Sequence, residues 1–163
     1  MLTSFYQAFA PISFTLLGLW LIVVQTRHAE WRRSATQRRR TYAITLNFAF
    51  PGLMSLLSLV DPRDSTVWRV SFAAVSILGV VALVGLAWVS RGGGRSGLLP
   101  TVALLTAALL YALVAVVAIA PGVLTGLGID LTPLRVEAIL LSLLVFLGVN
   151  VAWLLMFDEP EPD

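Results

Sequence analysis

Apolar runs alternate with short polar intervals along the whole chain, over residues 3–26, 41–60, 66–90, 98–120 and 134–157. A hydrocarbon core about 30 Å thick takes roughly 20 residues of helix to cross. A segment in lipid must satisfy its backbone internally, which favours helices. The pattern predicts an all-α polytopic membrane protein of five transmembrane helices. Residues 1–157 form a single membrane domain and 158–163 an acidic, proline-interrupted tail that is extended and solvated.

The polar intervals set the expected topology. Residues 27–40 hold six arginines, and an Arg/Lys excess in a short loop stays cytoplasmic. The interval from Arg91 to Gly97 adds two more arginines on the same side, against Arg63, Arg69 and Arg135 on the other, so the N-terminus lies outside and the C-terminus inside. Asp61 to Ser65 is a tight hairpin turn. Arg32, Arg33, Arg38, Arg39 and Arg40 are first of all topogenic. With Trp31 and Tyr42 at headgroup depth, they are also the candidate contacts for anionic lipid. Trp68 and Trp88 bracket the third run as an aromatic belt. Residues 91–97 formally match G-x-G-x-x-G, but they join two apolar helices rather than a strand and a helix, so no nucleotide site follows.

Inside the runs a few positions break the apolar pattern. At 100° per residue, Ser4, Gln7, Pro11, Thr15, Gly18 and Gln25 share one sector of the first helix. Such a face serves either as helix–helix packing or as a water-exposed path. Phe5, Phe9, Leu16, Leu19, Trp20 and Val23 lie away from it and suit acyl chains. Pro51 predicts a kink that frees the carbonyl of Asn47. Gln7, Thr15, Gly18, Gln25 and Asn47 are therefore the candidate polar path, on the symmetry axis of a homo-oligomer. Arg69 and Glu137 sit at matching depth near the outer ends of their helices and are the candidate intramembrane ion pair. Tyr111 lies mid-span and its hydroxyl needs a partner. Thr101, Ala108, Ala112 and Ala115 make a small-residue face on the fourth helix. Residues 123–131 are too short to span and read as an interfacial loop, with a re-entrant segment as the alternative. Thr132-Pro133 starts the last helix.

Composition narrows the function classes. The chain is 58% hydrophobic and only 12% charged, where globular domains carry about 25% charge. Its 163 residues leave no room for a separate soluble domain. The N-terminus lacks a basic stretch before its apolar run, so the first helix reads as retained rather than cleaved. There is no cysteine and no lysine, and the single histidine, His28, lies in the basic loop. Thiolate chemistry, a Schiff base and a His-rich metal or haem site are excluded, and no cofactor is expected. Without a catalytic constellation an intramembrane enzyme is disfavoured. A net charge of +2 with no soluble basic domain gives no nucleic-acid footprint. The expected function is a homo-oligomeric pore or transporter for ions or small polar solutes in a plasma (inner) membrane. The alternative is a non-catalytic regulatory or assembly subunit of a larger membrane complex. The expected partners are the bilayer, anionic lipid, and another copy or another membrane protein.

Overall fold

A computed structural model describes residues 2–27, 31, 35–60, 65–91 and 98–157. These form helices α1 (Leu2–Thr26), α2 (Ala35–Val60), α3 (Ser65–Arg91), α4 (Leu98–Ile119), the short α5 (Gly122–Gly126) and α6 (Pro133–Phe157). No strand occurs among the described residues. All except α5 are long and apolar enough to cross a membrane. The turn at 61–64, the glycine-rich stretch at 92–97 and the tail at 158–163 lie outside the described residues, as do His28, Arg32 and Arg33.

The helices pack up and down, with α2 at the centre against α1, α3 and α6, and α4 closing the bundle against α3 and α6. More than half of the apolar window of α2 is buried (56%), against 22% for α1. Two close approaches set the register of α2. A Cβ on Gly52 would lie 3.1 Å from Ser13 and Phe14 of α1, and one on Gly148 would lie 3.0 Å from Phe48. A third glycine, Gly79 of α3, faces the ring of Tyr111 on α4, where a Cβ would come within 2.9 Å. In lipid, small residues that let backbones approach replace the hydrophobic driving force. These three contacts show the bundle interlocked, with a core of Phe72, Ile44, Met54, Leu83, Leu141 and Leu144.

Several expectations need correction. Helix α2 begins at Ala35 rather than at 41, so Arg38, Arg39 and Arg40 lie within its first two turns. Ala, Gln and Arg are good helix formers, and nothing before Thr41 breaks the helix. Trp31, expected to contact lipid headgroups, is instead buried against protein, its ring 5.8 Å from that of Trp20. Phe9 and Trp20 belong to the core and not to the lipid-facing surface, while Leu19 is exposed. Trp68 is likewise buried, edge-on to Phe72, whereas Trp88 is 75% exposed. An aromatic ring gains as much by packing on protein as on acyl chains, so its burial depends on which neighbour is present.

Helix α2 continues through Pro51, with the Ser55 hydroxyl donating to the Pro51 carbonyl at 2.8 Å. The segment after α4 is partly helical rather than a plain loop. Helix α5 ends on Gly128, whose φ of +70° suits glycine, and Ile129 N–H donates back to the Leu124 carbonyl at 2.9 Å. Leu124 is its buried anchor. Helix α6 starts at Pro133, with Arg135 and Val136 N–H both donating to the Thr132 carbonyl.

Candidate functional site

The five candidate residues of the polar path, expected on the axis of a homo-oligomer, are divided between two places in the single chain. Gln7, Thr15, Gly18 and Gln25 all lie exposed on the outer side of α1, whereas Asn47 is buried in the bundle centre. The Thr15 hydroxyl donates to the Pro11 carbonyl of its own helix at 2.7 Å, and nothing comes within 4 Å of a Cβ placed on Gly18. Helix α1 thus turns its aromatic face inward, where the Tyr6 ring meets Phe72 and Trp20 Nε1–H donates to the Thr45 hydroxyl at 3.3 Å.

The expected ion pair is also absent. The Arg69 guanidinium donates from Nε to the Ala118 carbonyl at 2.8 Å and from Nη2 to the Ile119 carbonyl at 2.9 Å. These carbonyls end α4, where no further turn supplies donors and the helix dipole is negative. The two carbonyls take two of the five guanidinium N–H donors. Glu137 is left without the arginine: the residue is 0% exposed, and neither carboxylate oxygen has a hydrogen-bond partner.

The surroundings of Glu137 follow from the register. Leu134 lies one turn before it on the same face of α6, and the Tyr6 hydroxyl donates to the Leu134 carbonyl at 2.9 Å. The ring of Tyr6 meets Phe72 edge to face at 6.2 Å. Helices α2 and α6 run antiparallel with Gly148 against Asn47, so equal steps along both helices bring Glu137 level with Ser58. Ser58 is buried, its hydroxyl donating to the Ser55 carbonyl at 2.8 Å. The Glu137 carboxyl group thus lies near the Tyr6 ring and level with Ser58, at the end of the bundle opposite the 27–40 arginine cluster and shared with Arg69 and Arg135.

From this level a polar stripe descends along the buried side of α2. Ser58, Ser55, Pro51, Phe48, Ile44, Thr41 and Gln37 step by threes and fours along one face, with Asn47 beside them. Ser55, Asn47 and Gln37 are buried, and Ser13 of α1, fully buried, meets the stripe at Gly52. Ser13 Oγ, Asn47 Oδ1 and Thr41 Oγ1 have no hydrogen-bond partner. Buried polar atoms are almost always paired in native proteins, so each orphan calls for an explanation. At 1.5 Å per residue, Thr41 to Ser58 covers about 26 Å, close to the thickness of a hydrocarbon core.

Tyr111 and Asn150, by contrast, are satisfied. The Tyr111 hydroxyl donates to the Leu46 carbonyl at 3.0 Å, and Asn150 Nδ2 bonds the Phe146 carbonyl at 2.7 Å on the exposed side of α6. Of the expected lipid contacts, Arg38 is exposed while Arg39 and Arg40 are half-buried, with Arg39 Nη1 3.4 Å from the Val89 carbonyl at the end of α3. Tyr42 beside them is exposed. Among the described residues no cluster of three or more His, Cys, Asp or Glu is placed to hold a metal.

Sequence reasoning missed the stripe on α2, although its spacing was available: Gln37, Thr41, Ser55 and Ser58 are in register as clearly as the polar positions of α1. No protein-family model, curated protein or solved structure matches this chain, so the functional reading rests on its own residues.

Proposed function

We propose that this protein is a small multi-pass transporter or pore that moves small ions across a membrane, with Glu137 as the group that takes the ion. The observation that carries the reading is the fully buried, partnerless carboxylate of Glu137 on a helix long and apolar enough to span a bilayer. Ionisable groups at such positions are costly and mark ion pathways more than they mark structural need. An unpaired buried charge costs several kcal/mol, and Arg69, the cation expected to offset it, is engaged elsewhere. The arginine-bearing end of the bundle faces the cytoplasm in this reading, so that Glu137 lies towards the outer side.

The test is purification of the whole chain into liposomes with flux measured for H⁺, Na⁺, K⁺ and Cl⁻. Flux of at least one ion, reduced tenfold or more by Glu137→Gln, is expected. Absence of all flux sinks the proposal. For the orientation, a reporter active only in the cytoplasm should be active after Phe157 and silent between Gly126 and Asp130; the reverse overturns it.

A second reading, a non-catalytic subunit of a larger membrane complex, is favoured by the exposed stripe of α1. Gln7, Gly18 and Gln25 contact nothing in this chain that explains them. Co-purification with a second polypeptide, together with absence of flux, is its expected outcome.

A further inference from the structure

We infer that the ion handled at Glu137 is the proton, relayed along the buried polar stripe of α2 between Glu137 and Thr41. The inference rests on the transport reading above and names its substrate.

Three observations exclude larger ions and favour this one. The first is room. Gly52, Gly79 and Gly148 bring neighbouring side chains to within 2.9–3.1 Å of where a Cβ would stand, and the largest core side chains are fully buried. Among the described residues these contacts leave no room for a wide lumen at the levels of Gly52, Gly79 and Gly148, whereas a single file of hydrogen-bonded oxygens needs little more than a water's width.

The second is coordination. A dehydrated metal cation takes about six oxygen ligands. The level of Glu137 supplies the two oxygens of one carboxylate and at most the hydroxyl oxygens of Tyr6 and Ser58, short of that number. A proton needs a single oxygen, and Glu137 offers two without partners.

The third is continuity. The orphan oxygens of Glu137, Ser13, Asn47 and Thr41 are strung along the axis of α2. The levels of Ser58, Ser55, Gly52, Asn47 and Thr41 are three to six residues apart, a rise of about 4.5 to 9 Å along the axis at 1.5 Å per residue, with Ser13 on the α1 side of α2 and Asn47 on the α6 side. Waters passing between these levels are stabilised by the orphan acceptors they meet. Asn47 Oδ1 and Ser13 Oγ orient such waters and need not themselves change protonation.

In the relay a hydronium ion at the outer mouth gives its proton to the Glu137 carboxylate, leaving a water and a neutral carboxylic acid. The acid O–H bond then breaks as an O–H bond forms on the next water, restoring the carboxylate. Each later hop breaks one O–H bond and makes another, so one proton enters and one leaves per cycle. The membrane potential or the pH difference drives it, and no other reactant is consumed.

The test uses the full chain in liposomes holding a pH-sensitive dye, with a potassium diffusion potential as the driving force. Wild type should pass protons, with Glu137→Gln reducing the rate at least tenfold and Asn47→Leu, an apolar plug of similar size halfway down the stripe, reducing it comparably. Both variants are checked by thermal melting and gel filtration for a retained fold. A measurement on the unmutated chain stands beside them. A hydrophobic carbodiimide adds to a buried carboxylic acid as a stable N-acylurea, and mass spectrometry should find it on Glu137 in proportion to the loss of flux. Proton flux that survives complete modification of Glu137, or that is unchanged by Asn47→Leu in a folded variant, overturns the inference. Glu137-dependent flux of Na⁺, K⁺ or Cl⁻ without proton flux overturns it too, while leaving the transport reading standing.

Discussion

Helix α1 and helix α2 each carry a polar stripe, and the two have opposite fates. On α1 the stripe of Gln7, Thr15, Gly18 and Gln25 is exposed, and on α2 the stripe of Gln37, Asn47, Ser55 and Ser58 is buried. The difference is set by what lies on the other faces. Helix α1 has Tyr6, Phe9 and Trp20 to offer the core, while α2 is surrounded by α1, α3 and α6 and has few positions to turn outward. In a lipid-solvated chain the polar side of a helix is therefore no guide to its inside; the number of neighbours decides.

The largest expected contrast between the two stripes is steric. Gly148→Leu places a side chain where a Cβ alone would lie 3.0 Å from Phe48, and overpacking of this kind costs about 1–3 kcal/mol, so the detergent-solubilised protein should melt several degrees lower. Gly18→Leu meets nothing within 4 Å and should raise stability by up to about 1 kcal/mol through helix propensity. A large loss at Gly18 would mean that its stripe is covered in the native assembly, which would break the comparison.

Next in size is the buried carboxyl itself. Glu137→Gln keeps the shape and removes the group that can bear an uncompensated charge, so stability should rise by about 1–2 kcal/mol even as ion flux is lost. Destabilisation would recast Glu137 as a structural group and dissolve the case for a site on this side of α2.

Tyr111→Phe removes the hydroxyl that donates to the Leu46 carbonyl and should cost about 1 kcal/mol in thermal melting, while leaving flux intact. It sharpens the comparison by separating a satisfied buried polar group from the orphans. The smallest effect is expected at Gln7→Leu on the exposed stripe, within about 0.5 kcal/mol. A shift in oligomer size by gel filtration would show that Gln7 joins copies rather than facing lipid.

Much of this architecture was legible from the sequence. Five runs of the right length become five helices, with ends that differ by a few residues except at α2, where Ala35–Arg40 extends the helix into the basic stretch. Thr132-Pro133 marked the start of α6 because capping is local chemistry. The orientation of each helix was not legible, since Phe9, Trp20 and Leu19 suit lipid and protein equally and only the first two are buried. The partner of Arg69 was hidden for a different reason. Depth matching pointed to another charged side chain, but every helix also ends in carbonyls that no residue letter displays. The same blind spot concealed Glu137 as the centre of the site, because its isolation follows from where Arg69 went.

Arg69 also bears on how the chain is made. It begins α3 and grips the last turn of α4, across the open end of a hairpin whose closed end is the 92–97 connection. Arg39 near the start of α2 reaches the last turn of α3 in the same way, across the open end of the preceding hairpin. In chain order each of these arginines precedes its acceptor, which is complete only with the final turn of the following helix. A chain cut short of Ala118 therefore keeps the cation on α3 but lacks both carbonyls that hold it, so the latch comes only with the last turn of α4.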